Sequence, residues 1–471
     1  MIFHPQNLVQ KEGRFVFSGN ACAVAPPCFN KDILKEFWYN FSFQLSTLSV
    51  TTGRELIFSV GNTERLLLDD GDAYSIRIDR DGLCVYAKTE KDLLLGFMTL
   101  LDRFKAVDEG EQTVIELECC EIKDKPLIKN RMIHFCIFPE TRLWDLRRFL
   151  RFCAALKYTH VVLEFWGMLH YDCMKELSWS HAFSKEEIRP IIQEANDLGL
   201  EIIPMFNQWG HAAASRGRQG KHVVLDQDPR LQTYFSEDGW CWDIRKEKVK
   251  DLLRRIRREL IELCGKGSYF HIGCDEAFNF DLTRENLNFI CSFINEISDD
   301  LKAQGRRAIA WGDMFLYRHP EFNPNNSYTC NAPTPEIEAY FLEHLSRDIL
   351  IADWQYKAPE APVETASIFQ NAGFDCLLCP WDKGIPQLQA VISTVKEQGL
   401  DGYLHTTWHT FPKGVALALL AGVSGFEDLD GYTRPVATSN AAALTRRAFP
   451  CGGDYERAGW RAVQIGEDMW Y

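Results

Sequence analysis

Eight short apolar runs, each followed by a helix-length amphipathic segment, alternate along the chain from Lys129 onward. A short apolar run between polar residues predicts a buried strand, and strands that alternate with helices predict a parallel sheet. Eight such units over roughly 300 residues are typical of a (β/α)₈ TIM barrel. We therefore predict an α/β fold with a barrel over residues 126–428. The predicted strands are Arg131–Phe138, Thr159–Phe165, Leu200–Phe206, Ser268–Gly273, Arg306–Trp311, Ile349–Trp354, Phe374–Cys379 and Gly402–Thr407.

A doubly wound open sheet is the alternative arrangement of such units. Sheets of that kind commonly bind nucleotides through a Gly-rich loop after the first strand. The chain has neither a G-x-G-x-x-G loop nor a Walker A loop, which leaves the closed barrel as the favoured fold.

The segments before and after the barrel differ from it in sequence pattern. Residues 1–125 predict a small α+β domain, and residues 429–471 predict a helical extension. The apolar pair Trp470–Tyr471 predicts docking, against a second subunit if the protein is a homodimer. Within these segments we predict a hairpin of strands Ala73–Ile78 and Leu83–Ala87, helix Glu90–Phe104, strand Thr113–Leu117 and helix Ala441–Phe449.

Charge and cysteine usage narrow the possible partners and the compartment. The net charge is −14 and the pI is about 5.4, which disfavours nucleic acid and anionic membranes as partners. No window approaches 18 uninterrupted apolar residues, and the N-terminus has no signal-peptide pattern. Several of the 16 cysteines lie in apolar runs, as reduced buried thiols do. We expect a cytoplasmic protein.

Polar and aromatic residues follow nearly every predicted strand, at the end of the barrel where active sites lie. The strand at 269–273 runs into two adjacent carboxylates, Asp275 and Glu276. Adjacent carboxylates repel, so one of them needs a raised pKa or a strong hydrogen-bond donor nearby. Five or six tryptophans on the same rim predict an aromatic-walled pocket that holds a sugar. The strand-end residues are Glu164–Trp166, Asn207–His211, Trp311–Asp313, Trp354–Tyr356, Pro380–Asp382 and Thr407–His409.

These motifs resemble those of glycoside hydrolase family 20, the β-N-acetylhexosaminidases. Residues 270–276 (FHIGCDE) are similar to the family's His-x-Gly-x-Asp-Glu motif, and residues 203–211 (IPMFNQWGH) to its Ile-Pro…Gly-His segment. The hexosaminidase D-like branch has the most similar segments, although we do not expect residues 1–125 in that branch. The resemblance implies hydrolysis of terminal β-linked GlcNAc or GalNAc without a cofactor or metal.

The resemblance also implies a mechanism and a set of site residues. The substrate's own 2-acetamido oxygen attacks C1, so the enzyme needs no carboxylate nucleophile. Glu276 is then the general acid and later the base, while Asp275 orients the acetamido group and stabilises its developing charge. The residues that the resemblance assigns to substrate binding are Arg131, His211, Trp311, Asp313, Trp354, Tyr356, Trp381, Asp382 and Trp408.

The chain departs from the family pattern at three places. Family members commonly carry a glutamate two residues after the tryptophan of strand eight, where this chain has Thr410. That glutamate reads the outer hydroxyls, so the choice between GlcNAc and GalNAc stays open. The tyrosine expected after strand seven is absent, and Tyr356 is its predicted substitute. Arg131 lacks the glycine that usually follows it, and we expect His134 to be a core or supporting residue.

Three alternative functions remain. A metal-dependent barrel hydrolase would use His271, Asp275, His211 and His134 as ligands, and insensitivity to EDTA would exclude it. A non-catalytic sugar-binding barrel would release no aryl group from any N-acetylhexosaminide. A glycosidase for sugars without an acetamido group would cleave glucosides as fast as N-acetylglucosaminides.

Overall fold

The N-terminal segment folds as an eight-stranded sheet with two helices. A computed structural model describes residues 2–49, 56–60, 68, 71–213, 224–278, 280–321, 323, 325–357, 361–408 and 411–449. The predicted hairpin, helix and final strand are present, and the final strand is longer than predicted. The elements are β1 (Asn7–Phe17), β2 (Gly19–Val24), α1 (Asp32–Phe41), β3 (Ser46–Ser49), β4 (Leu56–Val60), β5 (Tyr74–Asp79), β6 (Gly82–Ala87), α2 (Glu90–Asp102), β7 (Lys105–Glu109) and β8 (Gln112–Asp124).

The next part of the chain forms a closed barrel of eight parallel strands in which the last strand pairs with the first. The predicted (β/α)₈ barrel and its eight strands are confirmed. The strands are β9 (Asn130–Cys136), β10 (His160–Glu164), β11 (Glu201–Met205), β12 (Tyr269–Gly273), β13 (Arg307–Trp311), β14 (Leu350–Trp354), β15 (Cys376–Cys379) and β16 (Gly402–Thr406).

Helices surround the barrel because each strand is apolar on both faces and must be covered on its outer one. They are α3 (Leu143–Ala155), α4 (Lys185–Asp197), α5 (Val224–Gln227), α6 (Glu247–Cys264), α7 (Arg284–Ala303), α8 (Pro335–His344), α9 (Glu364–Asn371), α10 (Ile385–Gln398), α11 (Phe411–Ser424) and α12 (Arg434–Ala448). In α6, Val249, Leu253 and Ile256 recur at helical spacing and are fully buried. No described helix has the length and apolarity to span a membrane.

Buried cations join the N-terminal domain to the barrel. The ammonium of Lys157 lies 3.9 Å from the ring centre of Phe3 and 4.2 Å from that of Phe426, and it donates to the Tyr74 hydroxyl at 3.1 Å. Burial lowers the pKa of Lys157 to about 8. Arg151 on α3 donates to Glu36 on α1 at 2.6 Å.

The C-terminal helix packs on both parts of the fold. α12 includes the predicted terminal helix and contacts α3 and α1. Trp470 and Tyr471, and with them the predicted docking contact, lie outside the described residues.

Candidate active site

The loops at the carboxyl ends of the strands hold an unusual number of side chains in left-handed backbone conformations. Cys274, Glu276, His211 and Trp408 have φ values of 77°, 45°, 52° and 45°. Non-glycine residues rarely adopt positive φ, and each such residue costs about 1–3 kcal/mol that the surrounding contacts must offset. The positive-φ residues after β11, β12 and β16 therefore mark the strand ends whose loops are held in fixed, strained positions.

Asp275 and Glu276 share one histidine. His211 Nε2 lies 3.2 Å from Asp275 Oδ2 and 3.1 Å from Glu276 Oε2, and the imidazole packs against Trp240 with ring centres 4.4 Å apart. Asn207 Nδ2 donates to the other oxygen of Asp275 at 2.9 Å. The side chain of Asp275 is 6% exposed and that of Glu276 is 31% exposed. One carboxylate is thus fixed in the interior while its neighbour opens to solvent.

Asp313, just after the end of β13, holds the backbone of this loop. Its Oδ2 accepts from the Glu276 backbone N–H at 3.0 Å and from Asn331 Nδ2 at 2.7 Å, and its Oδ1 accepts from Trp354 Nε1 at 2.9 Å. Burial, and then the charge of Asp275, raise the pKa of Asp313 to about 7. The two adjacent carboxylates in the sequence predict a raised pKa or strong donors for the Asp275–Glu276 pair. The donors are present as Asn207 and His211, and the raised pKa belongs to Asp313.

The raised pKa of Asp313 predicts a stability change with pH. Folded protein keeps this proton up to about pH 7, whereas an unfolded aspartic acid releases it near pH 4. The folded state therefore binds more protons in this window, and its stability falls as pH rises through it, by up to about 1.4 kcal/mol per pH unit. The free energy of unfolding of wild type minus that of Asp313→Asn should fall between about pH 4 and pH 7.

Denaturant unfolding of both proteins at several pH values measures this difference in the free energy of unfolding. The contributions of the other titrating groups largely cancel, because both proteins have those groups. Asp275→Asn removes the charge of Asp275, which is the second cause of the raised Asp313 pKa. In that background the fall in the stability difference should end at a lower pH. A difference that stays level or rises across the window would contradict the assignment.

An aromatic wall stands beside the two carboxylates. Trp408 Nε1 donates to the Tyr356 hydroxyl at 2.8 Å. The Tyr356 ring centre lies 5.0 Å from that of Trp354 and 5.1 Å from that of Trp381. All four side chains are half-buried, which leaves part of each ring available to a ligand. Burial raises the pKa of Tyr356 well above its usual value, so its hydroxyl stays protonated and can donate to an acceptor.

Trp311 and Asp313 do not have the predicted substrate contacts. Trp311 is fully buried in the barrel interior, with its ring centre 5.8 Å from that of Trp408 and 4.3 Å from that of His271. It supports the wall from below. Asp313 is 1% exposed, and both its oxygens bind protein groups, so it positions the Glu276 loop and the Trp354 indole.

The prediction for Arg131 is wrong. Arg131 is the second residue of β9, at the end of the barrel opposite the carboxylates. Its guanidinium is buried and donates to the backbone carbonyls of Lys157, Ile128 and Lys129. Burial lowers its pKa to about 10. The residue closes the base of the barrel, where no sugar in the pocket reaches it.

Asp382 and His211 complete the predicted set. Asp382 lies after β15 and accepts from Arg434 Nη2 at 3.0 Å, so its carboxylate ties α12 to the rim. Of the nine predicted substrate-binding residues, the structure gathers His211, Trp354, Tyr356, Trp381 and Trp408 around or beside the carboxylate pair. His409 and Thr410, where the family glutamate would stand, lie outside the described residues.

Several residues of this region were not among those assigned to catalysis or substrate binding. Asn207 and Glu164 each end a strand or follow one closely, and that position was a usable signal. Trp240 donates from Nε1 to the Glu276 carbonyl oxygen at 2.6 Å. It belongs to the long connection between β11 and α6, and nothing in the local sequence indicates that this loop folds back over β12.

Gly210 allows two of these loops to touch. A Cβ at Gly210 would lie 2.1 Å from the Asp275 carbonyl oxygen and 3.1 Å from the Ala277 nitrogen. Gly210→Ala must therefore push the His211 loop away from Asp275. A displacement of about 1 Å at a catalytic site costs on the order of 100-fold in rate, which is the expected loss of kcat for any substrate the site turns over.

Gly305→Ala is the matched control for Gly210→Ala. Gly305 has a positive φ, of 73°, but its Cβ would meet nothing within 4 Å. The variant should lose stability by about 1 kcal/mol and keep its activity. Equal rates for the two variants, measured at saturating substrate, would contradict the role of this contact.

Sequence comparison finds a family that resembles part of the chain. Residues 159–382 match the profile of the catalytic domain of glycosyl hydrolase family 20. The chain is 22% identical over 321 residues to a lacto-N-biosidase of Bifidobacterium bifidum, covering 64% of this chain and 27% of that protein. It is 21% identical over 322 residues to a beta-hexosaminidase of Porphyromonas gingivalis, covering 58% and 39%. The chain thus spans well under half the length of these relatives.

The branch within the family stays a prediction. Hexosaminidase D of Bos taurus is 26% identical over 125 residues, which is 26% of this chain and 34% of that protein. That stretch is too short a part of the chain to place the N-terminal domain or the whole chain in the hexosaminidase D-like branch.

Solved structures share the whole fold. A GH20 exo β-N-acetylglucosaminidase from Vibrio harveyi, in complex with N-acetylglucosamine, superposes with a TM-score of 0.70 at 16% identity and covers 95% of this chain and 78% of its own. A β-N-acetylhexosaminidase from Bacteroides fragilis superposes with a TM-score of 0.66 at 16% identity, covering 97% and 95%. Residues 159–382 are thus similar to the catalytic domain of glycosyl hydrolase family 20, and the chain shares the fold of these solved structures.

Proposed function

We propose that the chain is an exo-β-N-acetylhexosaminidase that removes terminal β-linked GlcNAc or GalNAc with retention of configuration. The observation that carries the proposal is that Asp275 and Glu276, two carboxylates on one loop, have different environments. Asp275 is enclosed and hydrogen-bonded through both oxygens, whereas Glu276 is the more exposed of the two. The names of the relatives, a beta-hexosaminidase and a lacto-N-biosidase, support the same substrate class.

This arrangement suits attack by the substrate itself. Retaining enzymes with a protein nucleophile place two carboxyls on opposite sides of the bond, about 5 Å apart. Asp275, held in place by Asn207 and His211, cannot move to the anomeric carbon as a nucleophile. It can accept the N–H of the 2-acetamido group, which turns the acetamido oxygen toward C1. The negative charge of Asp275 then stabilises the positive charge of the oxazolinium-like intermediate.

Glu276 handles the protons in this scheme. In the first step it protonates the leaving oxygen while the acetamido oxygen bonds to C1 and the glycosidic bond breaks. In the second step it takes a proton from water, which attacks C1 and reopens the ring of the intermediate. His211 lies within hydrogen-bond distance of both carboxylates and keeps them at a fixed separation.

The aromatic wall provides the binding surface. Trp354, Tyr356, Trp381 and Trp408 offer ring faces for the apolar face of a pyranose, and the protonated Tyr356 hydroxyl is a donor for the acetamido oxygen. At the other side of Trp408, the buried side chains of Glu164 and His134 pair with each other at 3.1 Å, and the His134 ring packs against Trp408.

A panel of 4-nitrophenyl β-glycosides tests the proposal. The GlcNAc or the GalNAc derivative should be cleaved, and the glucose and galactose derivatives should be nearly inert because they lack the internal nucleophile. Equal rates on glucosides and N-acetylglucosaminides would favour a glycosidase with a protein nucleophile. Failure to cleave any member would favour a non-catalytic sugar-binding barrel. Activity should persist in EDTA, and its loss there would favour the metal-dependent alternative.

The compartment and the assembly are proposals as well. We propose that the protein works in the cytoplasm, supported by the described cysteines, which are free thiols and mostly buried. A homodimer is the proposed assembly, on the basis of the apolar C-terminal residues. Sedimentation of the purified full chain distinguishes a dimer from a monomer.

A further inference from the structure

Three metal-ligating side chains converge inside the barrel beside the aromatic wall. His134 and Cys136 are on β9, and Glu164 ends β10 in register with Cys136. Met132 and Val162 line the barrel interior, and side chains two residues apart on a strand share a face. His134, Cys136 and Glu164 therefore all point inward. They are between 0% and 2% exposed, so the cluster is buried.

The donor atoms are spaced as the corners of a metal coordination shell. His134 Nε2 lies 3.1 Å from Glu164 Oε2, Cys136 Sγ lies 3.3 Å from the same oxygen, and Cys136 Sγ lies 3.6 Å from His134 Nε2. A tetrahedral site with bonds of about 2.0–2.3 Å has edges of about 3.3–3.8 Å. The three separations match those edges within small side-chain adjustments.

The chemistry of the donors selects the ion. We propose that His134, Cys136 and Glu164 bind one zinc ion. A thiolate and an imidazole are soft or borderline ligands that suit Zn²⁺, whereas Mg²⁺ and Ca²⁺ require shells of oxygen. Binding releases the thiol proton of Cys136 and any proton shared between His134 and Glu164, and the ion takes their place.

The position of the ion beside the aromatic wall links zinc binding to sugar binding. The His134 ring centre lies 4.7 Å from that of Trp408, in the wall that the proposed function assigns to the sugar. A zinc ion bound there draws the His134 ring toward the other two ligands and so shifts the Trp408 face that the ring supports, and we therefore expect zinc and the sugar to weaken each other's binding. The zinc site itself does not depend on the proposed function; only this competition does.

Metal binding is tested on purified, metal-free full-length protein. Titration with ZnCl₂ against a chromophoric chelator should show one tight site per chain. Co²⁺ in the same site should give the near-ultraviolet absorption of a thiolate–cobalt bond. Cys136→Ser keeps a hydroxyl at the hydrogen-bonding position but removes the thiolate, and it should weaken zinc binding by more than about tenfold, since even outer-shell changes cost 10–100-fold.

Cys291→Ser on α7 is the matched control, because Cys291 is also a buried free thiol and lies outside the cluster. It should bind zinc as wild type does. Equal zinc affinity of the Cys136→Ser and Cys291→Ser proteins would overturn the site, as would a wild type that binds no zinc or gives no thiolate–cobalt band. The cobalt band is read on wild type, so the test stands even if the Cys136 variant does not fold.

The competition is measured separately. N-Acetylglucosamine should weaken zinc binding to wild type, and zinc should raise KM without changing kcat. If the glycoside panel shows no activity but the cobalt band appears, the zinc site stands and the proposed function fails. If the protein is active and zinc binds without changing KM, and N-acetylglucosamine does not weaken zinc binding, the ion does not act on the sugar-binding wall.

Discussion

Glu276→Gln should lower kcat by about 10²- to 10⁴-fold on substrates with poor leaving groups, the usual contribution of a general acid. The amide keeps the size of the side chain and can still accept from His211 Nε2, which lies 3.1 Å from the carboxylate oxygen. It cannot deliver a proton to a departing sugar hydroxyl. Substrates that release 4-nitrophenolate need little protonation, so their first step should be affected much less.

The measurement compares kcat for a GlcNAc disaccharide with kcat for 4-nitrophenyl N-acetylglucosaminide in wild type and variant. Glu285→Gln, an exposed glutamate in the first turn of α7, is the control for the same chemical change and should behave as wild type. A Glu276→Gln protein that cleaves the disaccharide at the wild-type rate would show that another group supplies the proton.

Asp275→Asn should lower kcat by about 10²- to 10³-fold, the range expected when one preorganised electrostatic group is removed. The amide introduced by this substitution is neutral and cannot stabilise the positive charge of the oxazolinium-like intermediate. It would also replace the carboxylate whose oxygen lies 3.2 Å from His211 Nε2. Because the interaction strengthens as charge develops, the loss should fall on kcat more than on KM.

Asp353→Asn is the matched control for this variant. Asp353 is a fully buried aspartate on β14, the next strand but one, where it accepts from Thr365 Oγ1 and Gln355 Nε2, both at 2.6 Å. Its substitution measures the general cost of neutralising a buried aspartate and should leave kcat close to wild type. If both variants lose activity equally, or if Asp275→Asn raises KM alone, Asp275 does not act on the transition state.

The barrel was predictable because its strands are buried on both faces and so appear as continuous apolar runs between helices. The N-terminal sheet was harder to predict from the sequence. β1 has mostly exposed residues and alternates poorly, and β7 is short and exposed, so neither gives a clear pattern. The predicted hairpin succeeded because turn residues 79–82 separate two strands that alternate regularly.

The location of the Asp275–Glu276 pair at the end of the barrel was predictable from its position after a strand, but the contacts of its neighbours depend on side-chain direction and depth in the barrel. Arg131 lies near the start of its strand and therefore at the base of the barrel. Trp311 faces inward and packs against Trp408, which no local pattern indicates. Trp240 reaches the site through a long loop, and its contact with the Glu276 carbonyl arises only in the folded chain.

In the proposed mechanism, the acetamido oxygen of the substrate attacks C1 while Asp275 steadies the acetamido group. The most direct test is a series of aryl β-N-acylglucosaminides in which the acetyl group carries zero, one, two or three fluorines. Fluorine withdraws electrons from the amide oxygen and makes it a poorer nucleophile without removing it. We expect kcat/KM to fall with each added fluorine, whereas a value that does not change across the series would show that the acetamido oxygen is not the nucleophile.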